Sequence, residues 1–439
     1  MKRLVYNRLM QWKKSINRKP LLLQGARQVG KTYLVEEFGK NEYEHFIALN
    51  FEEDPGLKTL FEENLKPETI LENIGIYFGR KITPENTLLF FDEIQVVPEV
   101  LTSLKYFSEK AQEYHIIAAG SLLGVSIGKP TSFPVGKVNF LTMHPMNFTE
   151  FLWATDEELL AEKLNNLSSI KPLPDIIHDK LLKLYKQYLY TGGMPEVLQN
   201  YVETKDIALV RQTQIEILEA YKRDFSKYAG KTQALKTAEV WQSIPFQLAR
   251  ENKKFKYGDV RKKARASTFE STIEWLKGAG LINMAYNVTT PKLPLKSYAD
   301  YSKFKVYLLD TGLLGAMLDL PSRIIVYPDE LFREYNGAFI ENYVAQELAA
   351  QGISPLFYWT SKSDAEVDFL LQKENAVYPL EVKSGTSIKL KSLRSYADRY
   401  SPPLIFRASP RNFTRSGNFV NIPLYNAGNI RNYLSPDIQ

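Results

Sequence analysis

Gly25-Ala-Arg-Gln-Val-Gly30-Lys31-Thr32 places two glycines, a lysine and a hydroxyl at the spacing GxxxxGK[ST], which suits a nucleoside triphosphate. Glycine lets the backbone curl until its N–H groups face phosphate oxygens, and a following helix adds its positive N-terminal end. In such a loop Gly25, Ala26, Arg27, Gln28, Val29 and Gly30 supply the cradle. Lys31 then reaches the β- and γ-phosphates, and Thr32 binds Mg2+ through its hydroxyl. Thr87-Leu-Leu-Phe-Phe-Asp92-Glu93 supplies the second half, an apolar run ending in two carboxylates. Asp92 is placed to hold the magnesium and Glu93 to polarise an attacking water; two adjacent acids at a strand end also occur as a plain solvated loop. The run His115 to Ala119 ends at Gly120-Ser121, where Ser121 either senses the γ-phosphate or caps a helix. ATP and Mg2+ are therefore the expected cofactors.

A second group lies near the C-terminus. In Glu381-Val382-Lys383 a strand points Glu381 and Lys383 to one face and Val382 to the other. A hairpin turning between Glu374 and Asn375 sets Asp368 directly opposite Glu381. Two facing carboxylates repel, a divalent cation between them relieves the repulsion, and Lys383 beside them can hold a water near a phosphodiester.

A third feature is charge. Between Arg250 and Ser267 eight basic residues stand against Glu251 and Asp259, a local excess of six that equals the formal net charge of the chain. Lys262, Lys263 and Arg265 in this stretch could neutralise DNA phosphates without reading sequence. The helix expected to follow is a poor base reader, with Glu270 and Glu274 among its outward positions and no arginine for guanine. A basic protein-contact surface is the equally simple alternative.

These groups need scaffolds. The 439 residues suit two to four domains, and 44% hydrophobic with 24% charged residues is the balance of a folded globular protein. Cysteine is absent, and the four histidines, His45, His115, His144 and His178, are scattered, which excludes disulfide and thiolate chemistry and disfavours zinc. No apolar run approaches the ~18 residues of a membrane span, and the start lacks a signal-peptide core, so no membrane association and a cytoplasmic location are expected.

Short apolar runs at Leu21–Leu23, Phe46–Asn50, Thr87–Phe91 and His115–Ala119 alternate with helical patterns such as Thr32–Phe38 and Val100–Gln112, the order of a parallel sheet with helical crossovers. The expected class is α/β: a P-loop parallel-sheet domain over 1–155, a helical lid or connector over 156–230 interrupted at Gly192 and Gly193, a winged helix over 231–325, and a C-terminal α/β domain over 330–439. Within the third, helices are expected at Tyr257–Ala264 and Thr268–Lys277, with strands around Leu281–Val288 and Phe304–Leu309.

The strings GARQVGKT, TLLFFDEIQ, AAGSLLG and MHPMNFTEFL resemble a large family of prokaryotic AAA+ type ATPases with a C-terminal domain of unknown function. YTGGMPEVL, YLLDTGLLG and GAFIENYVAQEL are similar to that family's C-terminal part. The resemblance implies ATP hydrolysis and assembly into a homo-oligomer. Lys137 stands in FPVGKV where the family is expected to carry arginine, which weakens an arginine-finger role there; Arg223 is a second candidate. The last domain resembles the PD-(D/E)xK nucleases, with Asp368, Glu381 and Lys383 matching acid, acid and lysine, and Glu341 matching the glutamate that many members add. That match implies either a metal-dependent nuclease or an inactive remnant of one. Two functions stay open: an ATPase that gates or drives a DNA-directed domain, and a nucleotide-operated switch for a protein partner.

Overall fold

The computed structural model describes residues 1–120, 134–167, 169–228, 231–250, 253–321, 333–361, 365–385, 390–435 and 438. The chain divides into two compact units, Lys2–His144 with Gly278–Gly280, and Pro145–Lys277 with Leu281–Gln439 and Met1.

The first unit is built on five parallel strands: β1 Leu21–Gln24, β2 His45–Asn50, β3 Thr87–Asp92, β4 His115–Ala119 and β5 Asn139–Thr142, in the order β2-β3-β4-β1-β5. β3 runs between β2 and β4 and every one of its residues is buried, as a continuous apolar run in an interior parallel strand requires. The helices Lys31–Glu42, Pro67–Phe78 and Pro98–Lys110 are the crossovers. Two of them open on proline, which lacks the N–H that the first turn cannot use. Leu34, Val35 and Phe38 form the buried face of the first, at helical spacing.

The second unit begins with the helix Phe148–Ala154, closed by a capping box: the Asn147 side chain accepts from Glu150 N, and the Glu150 carboxylate accepts from Asn147 N. Helices Asp175–Thr191, Pro195–Thr204 and Ile207–Tyr228 follow, with the break at Gly192 that the sequence suggests. β6 Ile282–Val288 and β7 Ala299–Leu308 form an antiparallel pair after the helix Ala266–Gly278. The helix expected at Tyr257–Ala264 is only one turn, Tyr257–Val260. Arg261 is extended and Lys263 takes a left-handed φ of 62°, which a helix cannot accommodate.

β6 also pairs in parallel with β8 Leu356–Thr360, and β8 with β9 Glu366–Val367, so segments 231–325 and 330–439 share the sheet β7-β6-β8-β9. A second sheet, β10-β11-β12-β14-β13, comprises β10 Phe369–Lys373, β11 Ala376–Val382, β12 Ile405–Ser409, β13 Thr414–Ser416 and β14 Phe419–Pro423. The single strand expected over Glu366–Gln372 is thus broken at Asp368, where the chain leaves one sheet for the other. The helix Arg333–Ala350 is buried nearly all round from Ala338 to Ala349 and carries Glu341, Asn342, Gln346 and Glu347 into the interior. Polar groups in that position must find partners.

Candidate functional site

The P-loop joins β1 to the helix Lys31–Glu42. Three of its residues take backbone angles that ordinary residues avoid: Gly25 at φ 147°, Gln28 at 63° and Gly30 at 90°. At Gly25 a side chain is also excluded by space, since a Cβ would stand 2.2 Å from the Met143 carbonyl oxygen. The Lys31 ammonium donates to the carbonyls of Gly25 (3.0 Å) and Ala26 (2.8 Å), so it lies against the loop it serves. Burial lowers its pKa to about 8, against the opposing pull of Glu93 and Asp92.

Thr32 Oγ1 donates to Asp92 Oδ2 at 2.7 Å, which joins the start of the P-loop helix to the end of β3. The other oxygen, Oδ1, accepts from Glu93 N at 3.0 Å. Burial raises the Asp92 pKa while these two bonds pull it down. Glu93 has a left-handed φ of 55°, and its carboxylate accepts from the Gln95 side-chain amide. A hydroxyl and a carboxylate in contact are a fitting donor set for Mg2+, and the glycine-rich turn fits a phosphate chain.

The predicted hairpin near the C-terminus forms in the expected register: Phe369 pairs with Leu380, Leu371 with Tyr378 and Lys373 with Ala376. Asp368 lies one residue beyond the first pair, and its Oδ2 accepts from Val382 N at 2.7 Å. Glu381 Oε1 accepts from Lys383 Nζ at 2.5 Å, while Glu381 Oε2 is buried with no hydrogen-bond partner among the described residues. Glu341 is held from both sides. Oε1 accepts from Lys305 Nζ at 3.0 Å and from the Tyr307 hydroxyl, and Oε2 accepts from Lys253 Nζ. Burial alone would raise its pKa, but the Lys253 and Lys305 ammoniums outweigh burial and hold it at about 2. Asp368 goes the other way: burial first, then the charges of Glu341 and Glu381, raise it well above the usual carboxylate range. Among the described residues no group of three or more His, Asp or Glu side chains is arranged to hold a metal ion.

The family model described as AAA domain matches residues 17–152. Two domains of unknown function, DUF8612 and DUF4143, match residues 182–323 and 336–426. The first unit carries a parallel-sheet P-loop ATPase-like domain. An uncharacterized protein of Methanocaldococcus jannaschii, MJ1544, is 26% identical over 374 residues, 82% of this chain and 74% of that protein. An uncharacterized protein of Mycobacterium tuberculosis, Rv2008c, is 32% identical over 93 residues, 21% of this chain and 20% of that one. Among solved structures, the Walker-type ATPase of Pyrococcus abyssi aligns with a TM-score of 0.43 at 14% identity, over 72% of this chain and 95% of that chain. The ORC1 protein of Aeropyrum pernix in complex with DNA aligns with a TM-score of 0.28 at 13% identity, over 72% and 91%.

The structure brings Thr32, Asp92 and Lys31 of the P-loop domain together, with Glu93 next in chain; Ser121 lies outside the described residues. Lys137 is paired with Glu109 at 2.9 Å, and Arg223 is exposed. Asp368, Glu381, Lys383 and Glu341 interact electrostatically as one cluster. Lys262, Lys263 and Arg265 are all exposed. Sequence reading missed Lys305 and Tyr307, and counted Lys253 only as part of the basic stretch, not as a partner of Glu341. A lone lysine amid the hydrophobic strand FKVYLL of β7 was the available signal for Lys305. No helix among the described residues is long and apolar enough to cross a membrane.

Proposed function

We propose that this protein binds and hydrolyses ATP, and that its nucleotide cycle gates or drives a C-terminal segment directed at DNA. The observation that carries the ATPase reading is the 2.7 Å contact between Thr32 Oγ1 and Asp92 Oδ2 beside the glycine-rich turn. In this reading residues 25–32 hold the triphosphate, and Lys31 turns from its own carbonyls to the phosphates. Thr32 and Asp92 hold Mg2+, which neutralises phosphate charge when bound. Glu93 accepts a proton from the attacking water once its carboxylate leaves the Gln95 amide. Assembly into a homo-oligomer belongs to the same proposal.

For the second unit, the segment order supports a winged helix over 231–325 and a PD-(D/E)xK-like domain over 330–439. A helix pair precedes the β6–β7 hairpin, and helix, four strands, helix and strand follow from Arg333 to Ser409. DNA engagement through Lys262, Lys263 and Arg265 rests on their exposure and charge. A second reading, a nucleotide-operated protein switch with an inactive nuclease-like end, is favoured by one observation: lysines already satisfy both oxygens of Glu341.

The deciding experiment measures ATP turnover with and without duplex and single-stranded DNA. Lys31→Ala is expected to lose ATP binding in a calorimetric titration while staying folded. Glu93→Gln is expected to keep binding and lose turnover at least about a hundredfold. Unchanged affinity in the first variant, or wild-type turnover in the second, would reject the assignment. ATPase rates indifferent to every DNA form would favour the protein switch.

A further inference from the structure

Lys305 is a fully enclosed charge in the second unit. Its side chain, on β7, is wholly buried, yet its Nζ lies 3.0 Å from Glu341 Oε1, 2.5 Å from Glu366 Oε1 and 4.0 Å from Asp368 Oδ1. A buried ammonium among three carboxylates is tolerable only because they share its charge. Lys253 approaches the same Glu341 from the other side and pairs with Oε2. Its side chain remains 17% exposed, whereas that of Lys305 is not exposed at all. Both lysines come from the segment before residue 325, and the acids they neutralise come from the segment after 330.

We propose that Lys253 and Lys305, anchored on Glu341, are internal counter-cations that take the place of a divalent cation beside the Asp368–Glu381 pair, with Lys253 as the releasable one. The inference rests on the reading of Asp368 and Glu381 as a metal pair. Three observations support it. Glu341 has both oxygens engaged by cations, which sets two positive charges at the acid cluster and opposes a metal ion there until one of them leaves. Glu381 Oε2 is buried and has no partner among the described residues, a polar atom still lacking there the partner its burial requires. Lys253, finally, belongs to the basic stretch that carries the exposed Lys262, Lys263 and Arg265, so a bound polyanion would compete with Glu341 for its ammonium. The acidic site is then closed in the resting protein and opens when Lys253 is drawn to phosphate.

The test is Mn2+ binding, measured by calorimetry on the full chain without nucleotide. Wild type, Lys253→Met and Lys253→Met/Asp368→Asn are compared, each checked by circular dichroism and thermal melting. Methionine keeps the length and packing of the stem and removes the charge. The expected result is Mn2+ affinity at least about tenfold higher in Lys253→Met than in wild type, because a cation beside the carboxylates has been removed. The double variant should lose that gain. Wild type binding Mn2+ as tightly as Lys253→Met, with the site lost on Asp368→Asn, would overturn the plug and leave the metal pair standing. If neither wild type nor Lys253→Met binds Mn2+ in an Asp368-dependent way, plug and metal pair fall together. Should Lys253→Met not fold, Lys253→Gln gives the same comparison, and a 15-base-pair duplex added to wild type must raise Mn2+ affinity for the proposal to survive.

Discussion

Lys31 shows how a single side chain ties the P-loop to pH. Burial lowers its pKa from the ordinary lysine value to about 8, because the neutral amine is easier to enclose than the ammonium. Phosphate binding needs the ammonium, so the bound state must raise that pKa again. Linkage then requires ATP affinity to fall as pH rises past about 8, by up to tenfold per unit until the bound-state pKa is reached. Calorimetric titrations at pH 7.0 and 9.5 should therefore differ by about ten- to thirtyfold, and equal affinities would mean that Lys31 is not the phosphate contact. Gly25 offers a second check. Alanine there needs both a φ of 147° and a Cβ 2.2 Å from the Met143 carbonyl, so Gly25→Ala should lose nucleotide binding by distorting the loop while Lys31 is intact. Retention of wild-type affinity in that variant would show that the loop can open at little cost.

At the scale of elements, the helix Arg333–Ala350 organises the second unit through buried polar side chains. Gln346 donates to the Tyr188 hydroxyl and accepts from Thr311 N; Asn342 accepts from Leu308 N; Glu347 accepts from Phe148 N at 2.9 Å, at the start of the capped helix. The strings MHPMNFTEFL, YTGGMPEVL, YLLDTGLLG and GAFIENYVAQEL thus meet in one buried network, in which Asp310 also accepts from Gly193 N and Met146 N donates to Gly193 O. Their role there is to position backbone. Glu347 makes the network pH-dependent, because burial and the nearby Glu150 charge raise its pKa from 4.5 to about 8. A folded pKa above the unfolded one gives stability that is complete below about pH 4.5 and declines as pH rises toward 8. Glu347→Gln, which keeps an oxygen for Phe148 N and never ionises, should flatten that decline. Its melting temperature should exceed that of wild type at pH 8 by several degrees, with a smaller difference at pH 5. A parallel pH profile in the two proteins would rule out Glu347 as the titrating group. This scale also explains what the sequence could reveal. The P-loop, the β3 acids and the Asp368–Glu381 register were legible because each depends on neighbours along the chain or on one tight turn. The counter-ions of Glu341 were not, since Lys305 and Lys253 reach it across 36 and 88 residues, and nothing local distinguishes a lysine destined for the interior from one bound for solvent.

At the scale of the whole chain, the net charge of +6 is matched by the excess between Arg250 and Ser267, but the structure divides that stretch. Arg250 pairs with Asp259, Arg261 with Glu239 and Lys253 with Glu341, so at least three of the eight cations are committed to carboxylates of the protein itself. The charge pattern alone overstated the surface offered to phosphate for that reason. Lys262, Lys263 and Arg265 remain exposed on the turn before the helix Ala266–Gly278, whose own exposed face carries Glu270, Ser271 and Glu274. Those acids repel a duplex and read no guanine, so contact through this turn should be to backbone phosphates and independent of sequence. Replacing all three residues by serine should then weaken every duplex about equally. If each contacts one phosphate, it should flatten the plot of log affinity against log salt by about 2.7, from roughly 0.9 per contact. None of the three residues belongs to the P-loop or to β3, so basal ATP turnover without DNA should be unchanged. Fluorescence anisotropy with two unrelated duplexes at 50 to 200 mM salt measures both quantities. An unaltered slope would assign the turn to protein contact, and a loss confined to one duplex would mean that this surface reads bases after all.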